Sequence, residues 1–153
     1  MSVLIEKRYL IVSTFVMELQ ISSDRYIWEI QRDFSQLFGY LKIEFFSRSQ
    51  QIEKRSPAKN IISNQRRIAE LVKSNVNASI AIYDGMSVSE LEKLFSDQFN
   101  LSAQVFRRSG NIWLETTMTD GWSLKQQNDH GKEITVGIPK SPPDYGNTDR
   151  DLL

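Results

Sequence analysis

An internal repeat is the feature of this sequence that most constrains its fold. The apolar residues of one predicted helix recur 61 positions later, and so do those of the strand before it. The helix residues Ile27, Ile30, Phe34 and Phe38 recur as Val88, Leu91, Phe95 and Phe99. The strand residues Met17, Leu19 and Ile21 recur as Ala78, Ile80 and Ile82.

The local patterns around this repeat predict two strand-helix-strand units. Apolar and polar residues alternate over 15–21 and 41–45, which favours strands with one buried face. Ser22-Ser23-Asp24 is predicted to cap the first helix, Gly39 to end it in a left-handed conformation, and Ser63 to start a short helix. In the second unit, Ser87 and Glu90 form a predicted capping box after the strand 78–83.

A second offset, of 56 residues, extends the comparison. It aligns 64–71 with 120–127, and the strand at 78–82 with Ile134, Val136 and Ile138. We therefore expect a closing strand near 134–138. The drop from 61 to 56 assigns the length difference to the segment between the second strand and the short helix.

The expected fold class is α+β, with two tandem repeats in one mixed sheet that has helices on one face. This is a split βαβ, ferredoxin-like arrangement, and a tandem β-grasp is the alternative. One domain would span 15–138, with units near 15–76 and 77–138. Residues 1–14 would be an N-terminal extension or an extra strand, and 139–153 a flexible, proline-containing tail.

The composition is globular and carries no excess charge. The 19 Lys/Arg balance the 19 Asp/Glu, so no global field attracts nucleic acid or a membrane. Residues 1–77 carry 12 Lys/Arg against 8 Asp/Glu, and residues 78–153 carry 7 against 11, which we interpret as an uneven solvated surface. The chain has no cysteine, which excludes disulfides and fits a cytoplasmic protein. The apolar run 9–17 is shorter than the about 20 residues that span a bilayer.

No catalytic pattern stands out in the sequence. His130 is the single histidine and lies in a segment, Asn128-Asp-His-Gly131, that we interpret as a loop. Phosphate-binding, dinucleotide-binding and nucleophile-elbow motifs are missing from the sequence. We therefore expect a protein that is not an enzyme and that has no metal, cofactor or catalytic residues.

A predicted β-hairpin offers the first candidate surface. Strands over 101–108 and 111–117 are joined through Ser109-Gly110, a two-residue loop that pairs Phe106 with Trp113. Val105, Ile112 and Leu114 then share the core face. The opposite face would carry an aromatic pair among polar residues, which is typical of interfaces, and Trp122 either joins it or covers it. The predicted partner-binding residues are Phe106, Trp113, Arg108, Gln104, Glu115 and Trp122.

A basic segment offers the alternative surface. Six cations between positions 48 and 67 are opposed by Glu53 alone, which favours phosphate contacts. The predicted nucleic-acid-binding residues are Arg48, Lys54, Arg55, Lys59, Arg66 and Arg67. Against this reading, the strand 79–83 lacks the aromatic-glycine pattern of RNA-recognition sheets.

Two segments resemble a family of small bacterial α/β proteins of unassigned function. They are the block 101–124, LSAQVFRRSGNIWLETTMTDGWSL, and the shorter stretch 40–47, YLKIEFFS. The resemblance implies a bacterial, cytoplasmic setting and a two-unit domain, and it brings no catalytic residues. The missing catalytic pattern and the aromatic hairpin face favour a non-enzymatic adaptor or accessory module that binds a protein partner or itself, and we expect no membrane partner.

Overall fold

The computed structural model describes residues 16–47 and 61–137, which form a mixed α+β fold and so confirm the predicted class. Two short 3₁₀ helices lie at Ile68–Glu70 and Thr117–Thr119. The predicted extension 1–14 and tail 139–153 lie outside the described residues. In chain order the elements are β1 (Val16–Ser22), α1 (Ile27–Leu37), β2 (Leu41–Phe46), β3 (Asn77–Tyr83), α2 (Val88–Phe99), β4 (Ser102–Ser109), β5 (Ile112–Glu115) and α3 (Leu124–Val136).

The described strands form two antiparallel sheets, so the prediction of one mixed sheet is wrong for this part of the chain. β1 pairs with β3, with Val16 opposite Tyr83 and Ser22 opposite Asn77. The other sheet has the order β2-β4-β5. Each strand of the first half thus hydrogen-bonds to a strand of the second half. One apolar face per strand suits this arrangement, since antiparallel sheets can leave the other face in water.

The core is one cluster that takes the inward face of every long strand and the apolar stripes of α1 and α2. α1 packs on β1 and β2, and α2 packs on β4. Phe45 of β2 meets Phe95 of α2 edge to face, with ring centroids 5.1 Å apart. Burial of each such side chain contributes about 1.5–3 kcal/mol. Both halves of the chain supply residues to this core.

Backbone hydrogen bonds at the start of α1 recur at the start of α2. The Ile27 N–H donates to the Arg66 carbonyl at 2.9 Å, and the Val88 N–H donates to the Trp122 carbonyl at 3.1 Å. These bonds satisfy amides that a helix N-terminus leaves unpaired. Three more bonds of the first half recur in the second half at the same offsets of 61 and 56. With the N–H donor named first and the carbonyl acceptor second, Trp28 to Asn64 recurs as Ser89 to Asp120, Ile68 to Arg25 as Leu124 to Met86, and Ala69 to Ser23 as Lys125 to Asp84.

The two halves differ by one residue between helix and strand. Phe38 and Phe99 end their helical stripes 61 residues apart, but the next buried residues, Leu41 and Leu101, are 60 apart. Asn100 makes the shorter connection with a φ of 53°. The predicted left-handed conformation at Gly39 is wrong, because the longer connection there closes without a positive φ.

The sequence misplaced both the cap of α1 and the last element. Residues 22–24 precede the helix, which begins after Tyr26; the Tyr26 N–H donates to Glu29 at 2.8 Å. The expected closing strand at 134–138 is wrong as well for residues 134–136, which belong to helix α3 (Leu124–Val136), and Ile138 lies outside the described residues. Ser123 and Gln126 form a capping box there, with bonds of 3.1 and 2.9 Å.

The expected short helix starting at Ser63 is also displaced. The 3₁₀ helix covers Ile68–Glu70, with Arg67 as its N-cap. Ile68 is fully buried, as is Leu124 at the start of α3. The two residues therefore fill equivalent core positions beside the helix N-termini, although one starts a single turn and the other a helix of 13 residues.

Gly131 fixes how closely α3 lies on the rest of the fold. A β-carbon at this position would lie 3.0 Å from Arg107 Cγ and from Tyr40 Cβ, and 3.2 Å from the Tyr40 carbonyl oxygen. The Tyr40 N–H also donates to Asn128 of the same helix at 2.8 Å. The helix backbone therefore approaches the β2 end of the sheet without room for a side chain.

We expect Gly131→Leu to lower the free energy of unfolding by about 1–3 kcal/mol, because the side chain overpacks this contact. Because leucine is a better helix former than glycine, a loss of stability in this variant would have a steric cause. Urea unfolding measures the change, and Gly121→Leu is the matched control, since its β-carbon meets nothing within 4 Å. Equal effects of the two substitutions would contradict the close contact.

Candidate interaction surface

The hairpin of β4 and β5 forms as predicted, with a register shifted by two residues. The two-residue loop is Gly110-Asn111, so Ser109 lies opposite Ile112 and Arg108 opposite Trp113. Gly110 has a φ of 62° and takes the first loop position, where primed turns require a positive φ. A shift by two keeps every side chain on its predicted face. Phe106 lies opposite Glu115 and diagonal to Trp113 instead of opposite it.

The strand β5 is exposed on both faces. Ile112 is 58% exposed, Trp113 38% and Leu114 38%, and Met118 just beyond is 96% exposed. The prediction that Ile112 and Leu114 lie in the core is therefore wrong. Val105 of β4 is fully buried on that face, whereas its neighbours on β5 stay exposed. Large apolar side chains thus reach solvent on both faces of this edge strand.

A lysine that the sequence did not indicate lies on the predicted aromatic face. Lys42 of β2 pairs with Phe106, and its Nζ lies 5.2 Å from the centroids of both Phe106 and Trp113. Cation–π contacts of this kind are worth about 0.5–1 kcal/mol at exposed sites. The same Nζ is 3.5 Å from Glu44, which also accepts a hydrogen bond from Gln31 at 2.9 Å.

Five of the six predicted partner-binding residues share this face. Gln104, Phe106 and Arg108 alternate along β4, and Trp113 and Glu115 stand beside them on β5. We call these five residues with Lys42 the hairpin face. Its aromatic centre is bordered by two cations, a carboxylate and an amide.

Trp122 lies apart from the hairpin face. Its ring is 5.8 Å from the guanidinium of Arg107 and 5.5 Å from the imidazole of His130. Arg107 points to the opposite side of β4 from Phe106, and donates to Gln127 at 2.7 Å. The interpretation of 128–131 as a loop is wrong, because His130 belongs to α3. Trp122 therefore anchors α3 and does not cover Phe106 and Trp113.

A second group of aromatic and basic residues lies at the start of α1. Tyr26 and Trp28 stack with centroids 6.4 Å apart. The Arg67 guanidinium lies 4.8 Å from the Tyr26 ring and donates to its hydroxyl at 3.0 Å, and Arg32 lies 5.3 Å from the Trp28 ring. We call these four residues the stacked ladder.

Two members of the predicted nucleic-acid set fall near the stacked ladder. Arg67 belongs to it, and Arg66 forms an ion pair with Glu70 at 2.8 Å. Asp33 accepts from Arg25 and Arg32, so local carboxylates balance much of the positive charge. The remaining predicted residues, Arg48, Lys54, Arg55 and Lys59, lie outside the described residues.

A part-buried carboxylate supports the base of the hairpin. Glu92 of α2 accepts a hydrogen bond from the Val105 N–H at 3.0 Å, at a point of β4 that β5 does not reach. The Val105 carbonyl accepts from the Thr116 hydroxyl at 2.8 Å. Burial raises the pKa of Glu92, the bond from Val105 opposes that rise, and the charge of Asp120 adds to it.

Comparisons with protein-family models, with curated proteins and with solved structures find no significant match to this chain. The resemblance of 40–47 and 101–124 to small bacterial proteins therefore stays a prediction. Within 16–47 and 61–137, none of the helices is long and apolar enough to cross a membrane. The same residues contain no group of three or more His, Cys, Asp or Glu that could hold a metal ion.

We expect Glu92→Gln to reduce the loss of stability between acidic and neutral pH. Since folding raises the pKa of Glu92, its contribution to stability is complete below its unfolded-state pKa and is lost as the pH rises through its folded-state value. A neutral glutamine accepts the same bond from Val105 without ionising. Urea unfolding of both proteins between pH 4 and 7 measures the difference. Parallel pH profiles would contradict the assigned cause.

Proposed function

We propose that this protein is a non-enzymatic interaction module that binds a protein partner through the hairpin face. The observation that supports this most is that Trp113 is 38% exposed and lies, with the part-exposed ring of Phe106, around the same lysine on this face. Scattered exposed apolar residues are ordinary, but a contiguous group marks an interaction site. Tryptophan at the centre of such a group is typical of binding hot spots.

The polar residues around Phe106 and Trp113 give the face a way to select its partner. Arg108 and Glu115 lie at its border, where charge pairs set orientation more than affinity. Lys42 covers part of both rings and leaves Trp113 38% exposed. A partner carboxylate near Lys42 would extend the pair that the lysine already makes with Glu44, so we propose an acidic group beside an apolar anchor on the partner.

We expect the double variant Phe106→Ala, Trp113→Ala to fold and to lose its partner in affinity capture from native lysate. Both rings are partly exposed, so their loss leaves the core intact. Mass spectrometry of the captured proteins and circular dichroism of the variant test the two statements. Trp28→Ala is the matched control, since it removes a tryptophan of similar exposure, 37%, from another surface. A folded double variant that captures the same proteins as wild type would refute the proposal.

A second candidate function is binding of single-stranded nucleic acid through the stacked ladder. Aromatic rings flanked by arginines offer the stacking platform that such proteins use, worth about 1–3 kcal/mol per base. The ion pairs of Arg66 and Asp33 count against it, because they leave little free positive charge. The alternative therefore depends on stacking more than on phosphate contacts.

If the ladder binds nucleic acid, Trp28→Ala should weaken binding of a short single-stranded RNA or DNA by about 5- to 150-fold, as expected for one lost stack. Fluorescence anisotropy over a salt titration measures the affinity. Trp113→Ala serves as the control and should leave it unchanged. Absence of binding even at low salt, where phosphate contacts are strongest, would exclude this candidate.

At the level of the fold, we propose that the two halves are copies of one strand-helix-strand unit. The support is the spacing of 61 residues between β1 and β3 and the paired hydrogen bonds of the two helix starts. The function would then lie where the halves differ, namely in the hairpin and in the segment after β2. The cysteine-free sequence supports a cytoplasmic location as part of the same proposal.

A further inference from the structure

The outer edge of β2 is capped by hydrogen bonds from the rest of the described chain. On the outer edge of β2, the Leu41 carbonyl accepts from Ser35 at 3.1 Å and the Ile43 carbonyl accepts from Gln31 at 2.9 Å. The Phe45 carbonyl accepts from the Ile62 N–H at 2.7 Å. Such caps prevent a foreign strand from pairing with an open edge.

The other sheet is capped on one side. On the outer edge of β1, the Gln20 carbonyl accepts from Arg25 at 2.9 Å. β1 also carries the charge of Glu18, which is exposed. Both features make this edge a poor template for an identical strand, since two copies of Glu18 would repel each other across the pair.

The outer edge of β3 is different. The Ser23 N–H donates to the Val76 carbonyl at 2.9 Å, in register with the β1–β3 ladder. Because antiparallel pairs alternate between bonded and non-bonded, the backbone groups of Asn77, Ser79 and Ala81 point away from β1. Within residues 16–47 and 61–137, no side chain caps these groups. All three residues are exposed and uncharged.

We propose that β3 pairs antiparallel with β3 of a second copy of this chain, which joins two β1–β3 sheets into one of four strands. Ser79 would lie opposite Ala81 of the partner copy or opposite its own counterpart. The uncharged edge lets identical strands approach without repulsion. A second copy also supplies a strand of equal length, whereas the small side chains of this edge offer little to select a foreign sequence.

The pairing inside the chain supports this geometry. β1 and β3 already pair antiparallel over seven residues, with apolar residues of both strands on the core face. Pairing around a two-fold axis would continue that face into the second copy, and it is the commonest closed symmetry of homo-oligomers. The contact uses a different sheet from the hairpin face, so a dimer would keep that face free. Since one strand edge buries little area, we expect a weak dimer with a Kd of roughly 10–500 µM.

The test compares substitutions on the two strands of this sheet. Ser79→Lys places a charge on the β3 edge, where it would face β3 of the second copy, which carries the same charge. Gln20→Lys is the matched control, since Gln20 lies directly opposite Ser79 on β1 and is also exposed. Ser79→Glu supplies the complementary charge. Sedimentation velocity over a concentration series gives the dimer fraction, and circular dichroism verifies the fold of each variant.

We expect wild type and Gln20→Lys to dimerise alike, and Ser79→Lys to weaken the dimer by about two- to fivefold. Mixing Ser79→Lys with Ser79→Glu should restore dimer mass as a heterodimer, which a mere loss of stability would not do. A wild-type chain that sediments as a monomer up to millimolar concentration would overturn the proposal. So would a Ser79→Lys variant that keeps the wild-type dimer fraction.

Discussion

Antiparallel pairing between the halves is the constraint on which the described fold depends. β1 pairs with β3 and β2 pairs with β4, so neither half completes a sheet by itself. The partners of each ladder are about 60 residues apart in the chain. Bringing such distant strands together costs loop-closure entropy, which is offset only when the core that both halves line also forms. These two strand pairs position α1, α2, α3 and the hairpin.

The sequence predicted the local elements well and their partners poorly. Alternation revealed β1 to β4 because each strand buries one face. The partner of a strand is a non-local choice that alternation does not encode, and this is why one mixed sheet was expected. The hairpin register slipped because Ser109-Gly110 and Gly110-Asn111 both satisfy turn chemistry. α3 was missed because three apolar residues near 134–138 resemble a strand, although the capping box at Ser123 and Gln126 was a readable helix signal.

The candidate site was predictable to a similar degree. The aromatic face follows from alternation along β4 and β5, and a register error of two residues leaves it unchanged. Lys42 could not be found before β2 was known to pair with β4, because its place beside Phe106 depends on that pairing. The stacked ladder was missed for a related reason. Arg67 reaches Tyr26 because the segment after β2 returns to the start of α1.

The matched hydrogen bonds at the two helix starts have a consequence for the origin of such a chain. A polypeptide that carried only one half would expose the edges of both its strands and one side of its core. It could hide them by pairing with another molecule of itself, and antiparallel pairing makes that assembly symmetric and closed. If the two halves are copies of one unit, as proposed, joining them in one chain replaces a concentration-dependent association with folding of a single molecule. Each half would then be free to change its loops alone, because the paired strands would no longer have to be identical.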